Sequence, residues 1–145
     1  MKECKITINR SVLEKYNEYY FSAHPKARKA PIKQPYHESI NQWMIMKRPA
    51  MNALKQRWKN FIIWLVNEYG YSGAGISKCE VSHIVYFPTN SRHDSDNYVP
   101  KFILDGLVES GMIIDDDCHH ITKLVLMCGI DKENPRTEII VTIKD

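Results

Sequence analysis

Long hydrophobic runs are missing from this chain. The longest unbroken apolar stretch, Phe61 to Val66, is six residues, far short of the ~20 that cross a bilayer, so no membrane span is expected. The charged start Met1-Lys2-Glu3-Cys4-Lys5 is not followed by the apolar segment of a signal peptide, and a cytoplasmic protein is expected. Glycine and proline are sparse, 6 and 7 of 145 residues, which excludes collagen-like and low-complexity chains. Cysteine is sparse too: Cys4, Cys79, Cys118 and Cys128 are scattered, with no C-x-x-C pair, so reduced thiols are expected and not a disulfide framework. Cys118-His119-His120 carries zinc-type side chains. Neighbours on one backbone rarely reach one tetrahedral ion together, however, and no second cluster completes four ligands.

What is present is a globular composition, 43% apolar, 10% aromatic and 26% charged. At this length it suits one domain, 1–145, with a core of its own. The net charge of +3 hides a division. Residues 1–60 hold 13 Lys/Arg against 4 Asp/Glu, and residues 61–145 hold 7 against 13. A basic half is suited to a polyanion while the other half presents carboxylates.

Residues 3–9 alternate as a first strand. Ser11 with Glu14 is spaced as a capping box and predicts a short helix through Tyr16 and Tyr20. Between His24 and Pro35, three prolines and Lys26, Arg28, Lys29 and Lys33 predict an exposed cationic loop. Met51, Leu54, Trp58, Phe61, Ile62, Leu65 and Tyr69 recur at three and four, which predicts a helix over 47–69, with Pro49 in its first turn and Gly70 ending it. Cys79–Phe87 is a strand, Asn97–Ser110 a second helix closed by Gly111, Thr122–Gly129 an apolar, central-looking strand and Thr137–Lys144 an alternating one. The predicted class is therefore α/β (α+β): one layered domain, a mixed sheet of about four strands packed against two main helices.

Chemistry concentrates around the second of those helices. Asp94-Ser-Asp96-Asn97 places two carboxylates two residues apart, on one side of an extended segment. Two like charges there hold one proton between them unless a cation separates them, and a hard divalent ion such as Mg²⁺ takes oxygen ligands of this kind. If the helix spans ~20 Å and residues 111–116 run back extended, one of Asp115, Asp116 and Asp117 meets the helix start. Lys101, in the first turns, leans toward the same end. Each feature has a plain alternative: an Asp before a helix as an N-cap, a run of aspartates as a solvated turn, Lys101–Asp105 as an i,i+4 pair.

Asp94-Ser-Asp96-Asn97, Lys101, Leu104-Asp105-Gly106-Leu107, Gly111 and Asp115-Asp116 together resemble the RusA family of Holliday junction resolvases, whose pattern is D-x-D-N, an early helical Lys, a [LF]-D-x-L and a D-D pair. The similarity covers 92–121 closely. Asn41 in Ser39-Ile40-Asn41-Gln42-Trp43 resembles the family's N-terminal Asn-containing loop. The Asn-to-Lys spacing is one residue longer than in the best-known members, and the first 35 residues are longer than the minimal form.

The resemblance implies a Mg²⁺-dependent endonuclease (with Mn²⁺ as a substitute) that cuts four-way DNA junctions as a homodimer. It assigns Asp94, Asp96 and Asp116 as metal-binding catalytic carboxylates and Lys101 as the catalytic or phosphate-contacting lysine. Residues expected at the DNA are Lys29, Lys33, Asn41, Lys47, Arg48, Arg92, Asn97 and Lys101, and the protein is expected at the nucleoid. Competing expectations are a non-catalytic DNA-binding module with a structural acidic cluster, and a metal-dependent phosphatase for small phosphates.

Overall fold

The structure, a computed structural model, describes residues 2–144. The chain runs β1 (Glu3–Ile8), α1 (Arg10–Ala23), α2 (Ile40–Trp43), α3 (Arg48–Glu68), β2 (Cys79–Phe87), a 3₁₀ turn (Ser95–Asn97), α4 (Lys101–Glu109), β3 (Ile121–Ile130) and β4 (Arg136–Ile143). The four strands form one mixed sheet in the order β1-β4-β2-β3. β2 and β3 are parallel, and β4 is antiparallel to both β1 and β2. This is an α+β architecture, as composition and alternation predict. None of the described helices is long and apolar enough to cross a membrane.

Alternation decides which face of the sheet is covered. Cys4, Ile6 and Ile8 of β1, Cys79, Val81, His83, Val85 and Phe87 of β2, and Thr137, Ile139 and Val141 of β4 are all buried. α3 lays Leu54, Trp58, Phe61, Ile62, Leu65 and Val66 into the same core, and α4 adds Phe102, Ile103 and Leu107. Gly106 lets the two helices touch: a Cβ there would stand 2.6 Å from Ile62 Cβ.

Four details depart from the sequence reading. α1 is capped by Asn9, whose Oδ1 accepts the Val12 N–H at 2.9 Å, and not by Ser11 with Glu14. The 24–39 segment exposes its cations, yet Pro31, Ile32 and Pro35 are buried and the Pro35 carbonyl accepts the Thr137 hydroxyl at 2.6 Å, so the loop is pinned to the core. The helix expected from Asn97 starts only at Lys101, because Pro100 disfavours helical backbone at Val99 and leaves Ser95–Asn97 as a separate turn. Finally, β3 is an edge strand, not a central one.

Candidate metal centre and nucleic-acid face

The loop that leaves β2 is held by rings. His93 stacks on Phe87 with centroids 3.7 Å apart and planes within 8°, and Tyr98 packs edge-on against Phe87 at 4.9 Å. Burial raises the Tyr98 pKa above its ordinary value. The residues between these two rings, 94–97, are thereby fixed over the C-terminal end of β2. Asp94 precedes the 3₁₀ turn, its carbonyl accepting the Asn97 N–H at 2.9 Å. Its carboxylate lies 3.3 Å from Arg92 Nε, an exposed pair of little energetic weight. The 3₁₀ turn packs against β3, and burial, with the Asp94 charge adding, raises the Cys128 thiol pKa above its ordinary value.

A second segment closes on this loop from 56 residues away. Ser39 caps α2 in a full capping box with Gln42, and the Asn41 N–H donates to Asn97 Oδ1 at 3.3 Å. Ile40, Asn41, Asp94, Asp96 and Asn97 line one open cleft of about 270 Å³. Four residues singled out from sequence, Asn41, Asp94, Asp96 and Asn97, thus share one surface. Both carboxylates are exposed, so a cation in the cleft would keep several waters, as Mg²⁺ does. The donors are all hard oxygens, which fits Mg²⁺ or Mn²⁺ and not a soft metal.

Lys101 is the first residue of α4 and is exposed. The start of α4 is set from inside the core, where the Phe102 N–H donates to His37 Nε2 at 3.1 Å and His37 Nδ1–H donates to the Glu38 carbonyl at 2.7 Å. His37 is fully buried, and desolvation lowers its pKa, so it is neutral and can accept that bond. Asp105 does not pair with Lys101; it faces Lys55 of α3 at 3.9 Å. Nothing in the hydrophobic pattern marks His37, and only its position beside the cleft segment 38–41 gives it a role.

Asp116 is elsewhere. After α4 the chain does not run back to the helix start. Ile113 pairs with Ile76 in a parallel bridge, continuing below the N-terminal end of β2. Asp115–Asp117 then form a turn ahead of β3, in which Asp115 accepts the Asp116 N–H at 2.7 Å and Asp117 Oδ1 accepts His120 Nδ1–H at 2.6 Å. That bond from His120 is the largest cause holding the Asp117 carboxyl below its ordinary range. Oxygen and nitrogen atoms of Asp115, Asp117 and His120 lie within 4.8 Å of one another, an arrangement the turn itself accounts for. Since Cys79 pairs with Ile121 and Phe87 with Ile130, Asp116 and the Asp94/Asp96 pair occupy opposite ends of the β2–β3 pair within one chain.

The cations divide into two groups. Arg28, Lys29 and Lys33 line a cleft of about 700 Å³ together with Arg57, which the sequence reading missed because it belongs to α3. Glu38 and Met46 also line this cleft, and Glu38 accepts the Trp58 Nε1–H at 2.8 Å. Ile40 and Asn41, between them in sequence, line the acidic cleft, so the segment 38–46 joins the two. Lys47 and Arg48 are exposed at the start of α3, and Arg92 is exposed beside Asp94. No protein-family model and no curated protein matches the chain.

Proposed function

We propose that the protein is a Mg²⁺-dependent, structure-selective endodeoxyribonuclease that resolves four-way DNA junctions, acting in the cytoplasm at the nucleoid in recombination and repair. The observation that carries this reading is the cleft in which Asp94, Asp96 and Asn97 meet Asn41 across the fold. Asp94 and Asp96 would hold the ion, with Mn²⁺ able to substitute. When bound, such an ion supplies an activated water and neutralises charge on the phosphoryl oxygens.

The chain's own groups do the rest. Asn97, anchored by the Asn41 N–H, fixes the turn that carries both carboxylates. Lys101, at the start of a helix whose first turn is set by His37, offers an ammonium to the scissile phosphate, where charge develops. Lys29, Lys33, Lys47, Arg48 and Arg92 contact phosphates without reading bases, so selection is by junction shape and affinity falls steeply with salt.

The test is cleavage of a synthetic four-way junction. Wild-type protein should nick it with Mg²⁺ and stop when EDTA is added. Asp96→Asn should bind the junction as well as wild type and cut it about 10²–10³-fold more slowly, the scale of losing one preorganised electrostatic group. Binding without cutting by the wild type would favour the DNA-binding module, and hydrolysis of a chromogenic phosphomonoester with the junction left intact would favour a phosphatase.

A further inference from the structure

α1 presents more aromatic surface than the core uses. Tyr16, Tyr20 and the capping residue His24 recur every four residues, so they share one face of the helix. Tyr16 is the inner member, buried against Phe61 and Trp64 with ring centroids 4.8 and 5.1 Å away. Tyr19 stands outside it at 53% exposure, and Trp64 of α3 lies 6.1 Å from Tyr19 with the planes 30° apart. With Tyr20 and His24 these rings wall an open cleft of about 640 Å³. One flat ring is already received there: His24 stacks on Tyr20 at 4.3 Å with planes within 22°.

Charge decides what the rings are suited to. Tyr20 also lines the cationic cleft of Arg28, Lys29, Lys33 and Arg57, so the two clefts form one groove. Lys55 and Lys59 of α3 pair with Asp105 and Glu109. Among the described residues, Arg28, Lys29, Lys33 and Arg57 pair with no carboxylate. The two acids of the groove are engaged, Glu38 with the Trp58 indole at 2.8 Å and Glu68 with Lys15 at 2.9 Å. An apolar partner would cover the rings and leave four cations unanswered. Nucleic acid answers both, with phosphates for the cations and flat bases for the rings. In a duplex the base faces are stacked on one another, so only an unpaired strand can offer them.

We propose that this groove binds an unpaired strand of DNA, its bases stacked on Tyr19, Tyr20 and Trp64 and its phosphates held by Arg28, Lys29, Lys33 and Arg57. The segment 38–46 lines both the cationic end of the groove and the acidic cleft, so the strand site and the proposed cutting site are contiguous. Stacking on rings tolerates any base. The substrate class this adds is branched DNA carrying a single-stranded arm or gap, whatever its sequence. The choice of DNA over RNA rests on the nuclease reading above; the fit to an unpaired strand does not.

The test is fluorescence anisotropy with the full chain in EDTA, where no cutting intrudes, using a labelled thymidine oligonucleotide and a duplex of equal length. Wild type should bind the oligonucleotide. Tyr19→Ala should lower the ratio of single-strand to duplex affinity at least about fivefold, the low end of losing one base–aromatic stack. Tyr19→Phe, which keeps the ring, should restore the ratio. Arg57→Gln should reduce the slope of log affinity against log salt for the oligonucleotide by about 0.7, one phosphate contact on a single strand. Met127→Ala, half exposed on the edge strand β3, should keep the wild-type ratio.

A wild type that does not bind the oligonucleotide overturns the proposal, as does a ratio that Tyr19→Ala leaves unmoved or that Met127→Ala lowers equally. A uridine oligonucleotide bound more tightly than the thymidine one assigns the groove to RNA and overturns the choice of DNA. A wild type that shows the Tyr19-dependent binding yet leaves a four-way junction uncut with Mg²⁺ removes the nuclease reading and leaves the groove standing. One that cuts the junction and shows no such binding does the reverse.

Discussion

The sheet has two edges, and they are finished in different ways. β1 is six residues long and alternates cleanly, with Cys4, Ile6 and Ile8 turned into the core and Glu3 and Lys5 turned out. Its outward main chain is met from within the chain at Thr7, whose N–H donates to the Tyr69 hydroxyl at 3.1 Å, with the Tyr71 ring stacked on Tyr69 at 5.9 Å. β3 is longer, apolar on both faces and without such covers. One fold can therefore carry an edge guarded by side chains of its own chain and an edge left open. Which is which follows from the side chains placed beside each, not from strand propensity.

The largest effects should separate the edges by stability. Ile6→Ala on β1 removes a fully buried side chain and should cost about 2–5 kcal/mol in urea unfolding, the same at every protein concentration. Leu124→Ala on β3 removes a side chain already 37% exposed, so it should cost no more than about 1 kcal/mol. A cost at Leu124 as large as that at Ile6 would mean that β3 is already covered within the chain.

A smaller effect tests the strand beside the open edge. His83 of β2 is buried with its Nε2 unpartnered, and burial, with nearby His37 adding, pushes its pKa down to about 3. A depressed histidine pKa means that the unfolded chain binds the extra proton. The stability this gives is complete above the unfolded pKa near 6.5 and is lost as pH falls toward 3. Between pH 6.5 and 5 the loss should be about 1.6 kcal/mol, with His37 acting in the same direction. His83→Gln should flatten the curve over that range. An unchanged slope in the variant would assign the pH dependence to other groups.

Much of this fold was legible. The 3.6-residue recurrence of Leu54, Trp58, Phe61 and Leu65 located α3 to within a residue at each end, the β-branched and aromatic content of Cys79–Phe87 located β2, and alternation located β4. The cleft was legible in part: Asp94 and Asp96 carry their own spacing, and Asn41 was picked out although its bond to Asn97 is a tertiary event.

β3 misled because an apolar run such as Leu124-Val125-Leu126-Met127 reads as a buried central strand, whereas the sheet order leaves it at an edge. Asp116 misled for a related reason. Residues 111–116 are long enough to run back along α4, but the Ile76–Ile113 bridge takes the chain to the other end of the sheet, and no local pattern announces a single long-range bridge. Arg57 was hidden in a helix assigned to the core, and Ile32 in a loop assigned to solvent.

The most direct test of the proposed centre needs no DNA. Mn²⁺ titrated into the wild-type protein and followed by its electron paramagnetic resonance signal should bind, and the Asp94→Asn/Asp96→Asn double variant should bind at least tenfold more weakly. Undiminished Mn²⁺ binding by the double variant would contradict the assignment of a divalent cation to this cleft.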